Sequence, residues 1–204
     1  MTTIINYNMG NLFSVEKKLL HLGAKVTTAV DRDAILRADR IVLPGVGHFG
    51  KAMEQLQKLD LIGPLHEAVL ERKTPVLGIC LGMQLMTSGS EEGGTEGLGW
   101  FECKTERLVV SDPHRYKIPH TGWNTIAHNE QDPILSNVPS GSEMYFVHAY
   151  SVLQADDEIT LSKTTYESEF VSALKKNNIA GMQFHPEKSH DAGLQVFKNF
   201  LALR

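Results

Sequence analysis

The sequence predicts an α/β protein with an open, mostly parallel sheet flanked by helices, followed by an antiparallel, β-rich second half. Two observations carry this expectation. From Thr2 to Gly89, short apolar runs alternate with stretches of helical periodicity, and repeated strand-helix-strand units imply parallel strands joined by right-handed crossovers. After the glycine-rich link Gly89-Ser-Glu-Glu-Gly-Gly-Thr95, short strands are separated by turn residues, a pattern that reads as mostly antiparallel.

Taken in order, Thr3-Ile-Ile is the first strand, and Leu12, Val15, Leu19 and Leu22 recur at helical spacing. Lys25-Val-Thr-Thr and Ile41-Val-Leu are the next strands, the latter leading into a helix that carries Phe49, Met53 and Leu56. A further helix precedes the strand Val76-Leu-Gly-Ile79. In the second half, Arg107-Leu-Val-Val110, Tyr145-Phe-Val147 and Ile179-Ala-Gly-Met182 are strand candidates. A last helix with Leu194, Phe197 and Leu201 on one face is expected to pack back onto the main sheet. The link is too short to separate independent units, so residues 1–204 read as one domain.

A chain of 204 residues can bury roughly 70% of its unfolded surface and needs no metal or disulfide staple. Its net charge of −4 argues against a nucleic-acid partner, which calls for a clustered basic face. No apolar run reaches the ~18 residues of a membrane span, and the start Met1-Thr-Thr-Ile-Ile lacks a signal-peptide pattern. Cys80 and Cys103 are the 2 cysteines. Pairing would silence the first as a nucleophile, so a reducing cytoplasm is the expected compartment.

Cys80 is the most informative residue. In Gly78-Ile-Cys80-Leu-Gly82 it lies between a short apolar strand and the start of a helix, with a glycine two residues to either side. Such a turn lifts the thiol out of the fold without steric conflict, and the helix start favours thiolate over thiol. An isolated cysteine after a strand is more often core; the flanking glycines reverse that weighting. Downstream, His185-Pro-Glu187 places a carboxylate two residues from a histidine across a proline that keeps the preceding residue extended. Glu187 can then orient His185 as a base, although a surface turn with solvated charges fits this segment equally well when taken alone. Pro44-Gly-Val46-Gly47, ending an apolar strand, can turn a peptide N–H inward as an oxyanion donor, a device typically worth ~10²–10³ in rate. A plain turn between strand and helix is the commoner reading of that motif.

Together these segments resemble the class I, triad-type glutamine amidotransferases, and within them the glutaminase subunits of imidazole glycerol phosphate synthase. The resemblance runs along nearly the whole chain and also includes Asn6-Tyr-Asn-Met-Gly-Asn11, Pro119-His-Thr-Gly-Trp-Asn124 and Tyr145-Phe-Val-His-Ala-Tyr150. It implies that Cys80 attacks the side-chain amide of L-glutamine to give a γ-glutamyl thioester. His185 would shuttle the proton, and Glu187 would hold His185. The N–H of Leu81 and one from the Val46 region would bind the oxyanion, with Gly47 also placed at the substrate, and Gln84 would help hold it. No cofactor is implied. The implied partner is a separate cyclase subunit of β/α-barrel type in a heterodimer, which receives the ammonia for histidine biosynthesis. Asn8, Thr121 and Ala149 depart from the usual residues of their segments, which by resemblance face the partner or shape the glutamine pocket. Related subunits feed other synthases, including sugar-aminating ones of surface polysaccharide synthesis. A stand-alone γ-glutamyl Cys-His hydrolase and an inert binding subunit are the rival classes.

Nine histidines invite other assignments. His148, after Tyr145-Phe-Val, is the competitor to His185 as base, but only His185 has a carboxylate placed to orient it. His120 and Trp123 fit either the partner face or a core beside a turn. No Cys-x-x-Cys or His-Glu-x-x-His spacing occurs, so no metal site is expected. Nor does a Gly-x-Gly-x-x-Gly or Walker-type loop follow the first strand.

Overall fold

The first half winds as its periodicity predicts. In the computed structural model, which describes residues 1–128 and 132–203, β1 (Thr2–Ile5) leads to α1 (Leu12–His21), β2 (Val26–Ala29), α2 (Arg32–Leu36) and β3 (Arg40–Gly45). Then come α3 (Phe49–Lys58), α4 (Ile62–His66) continued by a π-helical turn over Glu67–Glu71, β4 (Val76–Cys80) and, with no loop between, α5 (Leu81–Leu85). Side-chain caps set the helix starts, because the first N–H groups of a helix have no partner inside it. The Asn11 oxygen accepts from Ser14 N–H at the start of α1, and Asp31 accepts from Ala34 N–H at the start of α2.

Successive residues of a strand face opposite sides of the sheet, and both sides are covered. Ile5, Leu43 and Val76 pack with Ile35, Phe49 and Leu56 in one core. Ile4, Val42, Leu77 and Ile79 pack with Val15, Leu19 and Phe197 in the other. Every residue of β4 is therefore buried, as a continuous apolar strand of a parallel sheet requires.

The second half holds β5 (Thr87–Ser90), β6 (Thr95–Glu96), β7 (Phe101–Arg107), β8 (His120–Thr125) and β9 (Glu143–His148). It continues with β10 (Tyr150–Val152), β11 (Thr160–Tyr166), β12 (Ser168–Lys176), β13 (Ile179–Met182) and α6 (His190–Ala202). One sheet runs β2-β1-β3-β4-β13-β12-β10-β7-β5-β6, with β11 on β12, while β8 and β9 form a separate antiparallel pair. The parallel first half and the mostly antiparallel second half thus share a single sheet.

Several elements differ from the sequence expectation. The supposed link is the hairpin β5–β6, with Ser90 opposite Thr95 and Gly93 and Gly94 at positive φ in its turn. The strand expected at Arg107–Val110 lies upstream as β7, where Phe101, Cys103 and Thr105 are buried and Glu102 and Lys104 are exposed. Its polar solvent face hid the alternation, and Val109 is 77% exposed. β13 is antiparallel to β12 but parallel to β4, so it belongs to the central parallel set. In α6 the buried face is Gly193, Val196, Phe197 and Phe200, with Leu194 and Leu201 only half-buried. A Cβ on Gly193 would lie 2.1 Å from the Pro186 carbonyl oxygen, so a glycine is needed for this close approach of α6 to the Pro186 backbone. Among the described residues, no helix is long and apolar enough to cross a membrane.

Candidate active site

Three strand ends meet at the carboxyl edge of the sheet, where open α/β sheets place their ligands. Gly45 of β3 pairs with Cys80 of β4, and on the other side Met182 of β13 pairs with Ile79. The register thereby carries Gln183 alongside Cys80, with His185 just beyond.

Cys80 has φ 54° and ψ −112°, a conformation that costs a non-glycine residue about 1–3 kcal/mol and persists only where its surroundings enforce it. Packing enforces it here. A Cβ on Gly82 would sit 1.7 Å from the Leu43 carbonyl oxygen, and one on Gly78 would sit 2.8 Å from the backbone of Gly82. The turn can therefore fold tightly against β3, with Cys80 as the N-cap of α5. Beneath it, the Tyr7 hydroxyl donates to the Pro44 carbonyl at 2.7 Å. Burial, with the Cys80 side chain close by, pushes the Tyr7 hydroxyl pKa far up, so it stays a donor.

His185 follows β13 in extended conformation, and Pro186–Lys188 forms a 3-10 turn where the sequence suggested a continuing extended chain. The turn still brings the pair together. His185 Nδ1 lies 2.7 Å from Glu187 Oε1, and both side chains are 2% exposed. Ser189 locks the backbone, donating its hydroxyl to the His185 carbonyl at 2.6 Å and accepting from Tyr145 N–H at 3.0 Å. Burial disfavours the charged ring, but the Cys80 and Glu187 side chains outweigh it and raise the His185 pKa to about 9. With Nδ1 held by the carboxylate, Nε2 has no hydrogen-bond partner among the described residues.

His148 stands differently. Its Nδ1 lies 2.9 Å from the Tyr150 carbonyl, which can only accept, so Nδ1 carries the proton and Nε2 the lone pair. That lone pair receives the proton of His120 Nδ1 at 3.1 Å, and His120 Nε2 in turn accepts from Asn124 Nδ2 at 3.4 Å. Burial lowers the His148 pKa to about 3, aided by the neighbouring His120, and lowers that of His120 to about 4. Both rings are neutral and hydrogen-bonded at both nitrogens. His120 is accordingly interior and stacked on Tyr166, whereas Trp123 is 43% exposed and stacked on His190.

A pocket of ≈ 250 Å³ opens onto Cys80. Val46, Gly47, Leu81 and Gln84, which the resemblance assigns to the oxyanion and the substrate, line it, with Gly47 at φ +108°. Ala149 also lines it, while Asn8 and Thr121 lie exposed outside it. His185 and Glu187 are not part of its lining. Gln84 donates through Nε2 to the Tyr150 carbonyl at 2.9 Å and to Gln183 Oε1 at 3.1 Å. Two contributions escaped the sequence reading. Glu92, from the β5–β6 turn, is the only carboxylate in the lining among the described residues and also accepts from Phe49 N–H at the start of α3, 2.7 Å away. Gln183, completely buried, points its Nε2 at Cys80 Sγ from 3.8 Å. No group of three or more metal-ligating side chains occurs among the described residues.

Residues 3–203 match the family model for class-I glutamine amidotransferases. The chain is 43% identical over 201 residues to the imidazole glycerol phosphate synthase subunit HisH 2 of Methanococcus maripaludis, covering 98% of each chain. It is 40% identical over 203 residues to the protein of the same name from Pseudomonas aeruginosa, covering 100% of each. Among solved structures, one described as a glutamine amidotransferase superposes with a TM-score of 0.76 at 13% identity, over 98% of this chain and 99% of that one, a likeness of fold.

Proposed function

The chain belongs to the class-I glutamine amidotransferases, and from that premise we propose that it is the glutaminase subunit of an imidazole glycerol phosphate synthase, acting as one domain in the cytoplasm. Its substrate is L-glutamine. Its partner is a separate cyclase subunit of β/α-barrel type, joined in a heterodimer, that receives the ammonia for histidine biosynthesis. The subunit names of the full-length relatives support the partner reading. The observation that carries the chemistry is the meeting of a strained Cys80 with the His185–Glu187 pair at adjacent strand ends.

In this mechanism the glutamine side chain enters the pocket above Cys80, and Sγ attacks its amide carbon. His185 Nε2 holds the thiol proton and delivers it to the departing nitrogen, leaving a γ-glutamyl thioester and ammonia. Water, activated by the same ring, then releases glutamate. Glu187 keeps Nδ1 protonated, so that Nε2 is the nitrogen facing the thiol. The developing oxyanion is bound by Leu81 N–H, one of the unpartnered donors of a helix start, and by a peptide N–H of Val46–Gly47. Gln84 positions the substrate, and Glu92 supplies the acceptor that its α-ammonium group needs. His148, with both nitrogens engaged, serves as pocket wall and not as base.

The test is glutamate release from glutamine by the purified chain, alone and then with a cyclase subunit and its ribonucleotide substrate. Strong stimulation by the loaded cyclase is expected, together with loss of hydrolysis in Cys80→Ala without loss of complex formation. Hydrolysis that the cyclase leaves unchanged would overturn the partner, and full activity in Cys80→Ala would overturn the chemistry.

A further inference from the structure

We propose that Gln183 is a positioning residue for the nucleophile, its side-chain amide donating to the Cys80 sulfur so that the thiolate is held aimed into the pocket. The inference rests on the reading of Cys80 as nucleophile and adds a residue to it.

A primary amide with no exposure to solvent is costly unless its polar atoms are matched, and the matches here fix which end faces which neighbour. Gln183 Oε1 accepts from Gln84 Nε2 at 3.1 Å and from the Ser151 hydroxyl at 3.4 Å. An amide oxygen can do nothing but accept, so the NH2 end is turned the other way, and there Nε2 meets Sγ at 3.8 Å. The backbone is equally fixed, because Gln183 N–H donates to the Ser172 carbonyl at 2.9 Å. Fixed backbone and fixed oxygen leave the amide donor one target among the described residues.

A second contact of the sulfur gives that donor its meaning. Sγ also lies 3.7 Å from the Val147 carbonyl, to which a thiol S–H can donate. The carbonyl favours the protonated sulfur and repels the thiolate, whereas the Gln183 N–H favours the thiolate. These two neighbours pull the sulfur toward opposite protonation states, and Gln183 joins His185, whose ring takes the thiol proton, in supporting attack. Hydrogen bonds to charged groups are worth more than neutral ones, so the loss of this donor falls on the ionised form. Gln183→Met keeps the length of the side chain and removes the donor. Gln183→Glu keeps the shape and places an acceptor or a charge beside the sulfur.

The experiment is the pH dependence of iodoacetamide alkylation, located by peptide mapping in the full-length chain without glutamine. Cys103 serves as internal reference, since burial first and Asp156 second push its thiol up to about 12. The expected result is an upward shift of the Cys80 alkylation midpoint by about one pH unit in Gln183→Met, a larger shift in Gln183→Glu, and a smaller one in Ser151→Ala, which only loosens the amide. Ser151→Ala removes one hydroxyl and keeps the test available if the position 183 variants fail to fold. A residue that merely filled space would lower the melting temperature and leave the midpoint where it was, and that outcome overturns the proposal. If Cys80 in the parent chain were no more reactive than Cys103, the nucleophile reading itself would fall, and this inference with it.

Discussion

Under the proposed mechanism, replacing Glu187 by Gln isolates the part of the site that keeps the base in its working form. The carboxylate lies 2.7 Å from His185 Nδ1 with both side chains 2% exposed, so no solvent compensates for the lost charge. A hydrogen bond to a charged group contributes about 1.5–3 kcal/mol against about 0.5–1.5 for a neutral one, a difference of about 1–1.5 kcal/mol or roughly one pKa unit. The His185 titration, at about 9 in the parent, should therefore fall to about 8 in the variant. The second effect is larger. A glutamine amide that turns its NH2 toward Nδ1 forces the ring proton onto Nε2, and the ring can then no longer take the thiol proton. Charge loss alone predicts about a tenfold fall in kcat, and the wrong tautomer extends that to about 10⁴-fold. KM should hold, because neither residue lines the substrate pocket. The assay is glutamate release across roughly pH 6 to 10, paired with nitrogen-15 NMR of His185. A kcat within twofold of the parent, with an unmoved His185 titration, would refute the argument that Glu187 fixes the base.

Two further outcomes follow from packing and from titration. Gly82→Ala sets a Cβ 1.7 Å from the Leu43 carbonyl oxygen, and backbone cannot yield as a side chain can; a loss of about 1–3 kcal/mol or more is expected in urea titration, with a fall in kcat from the displaced Cys80. His120 and His148 are held neutral with pKa values of about 4 and about 3, below the ordinary 6.5. The folded chain therefore binds fewer protons than the unfolded one across that window, and the stability present above pH 6.5 is lost as pH falls toward 4 and then 3. His120→Phe, which can stack in the same place on Tyr166, should narrow the difference between unfolding midpoints measured above and below pH 6.5; an unchanged difference would remove the histidine pair as its source.

Local chemistry made the core of the candidate site legible. The glycines at 78 and 82 announce a turn that only a special residue would occupy, and His185-Pro-Glu187 brings its two side chains together whether extended or in a 3-10 turn. Gln84 entered through the family resemblance, and the structure places it in α5, one helical turn beyond the thiol. What stayed hidden depends on contacts between distant segments. Glu92 reaches the pocket only because the β5–β6 hairpin folds onto the start of α3, 43 positions away in sequence. His120 and His148 meet only through the register of β8 and β9. Gln183 lies two residues before His185, but its role depends on β13 pairing with β4, which the sequence did not specify because Ile179–Met182 fits a parallel or an antiparallel neighbour equally well. β7 was missed because a strand with one wet face looks, residue by residue, like a polar segment.

The pairing of Gly45 with Cys80 and of Met182 with Ile79 has a consequence for how this chain can diverge. Cys80 and His185 are indexed by two backbone ladders, so their relative positions are independent of the length or composition of the connecting segments. Helices and loops can drift, lengthen or change partners without misaligning the thiol and the imidazole. A deletion inside β4 or β13 has no such freedom, because a slip of one residue turns every side chain of the strand to the opposite face. Mutational tolerance should therefore be divided sharply along the chain. It should be broad over the connecting helices and loops and nearly absent over the few residues where three strands end.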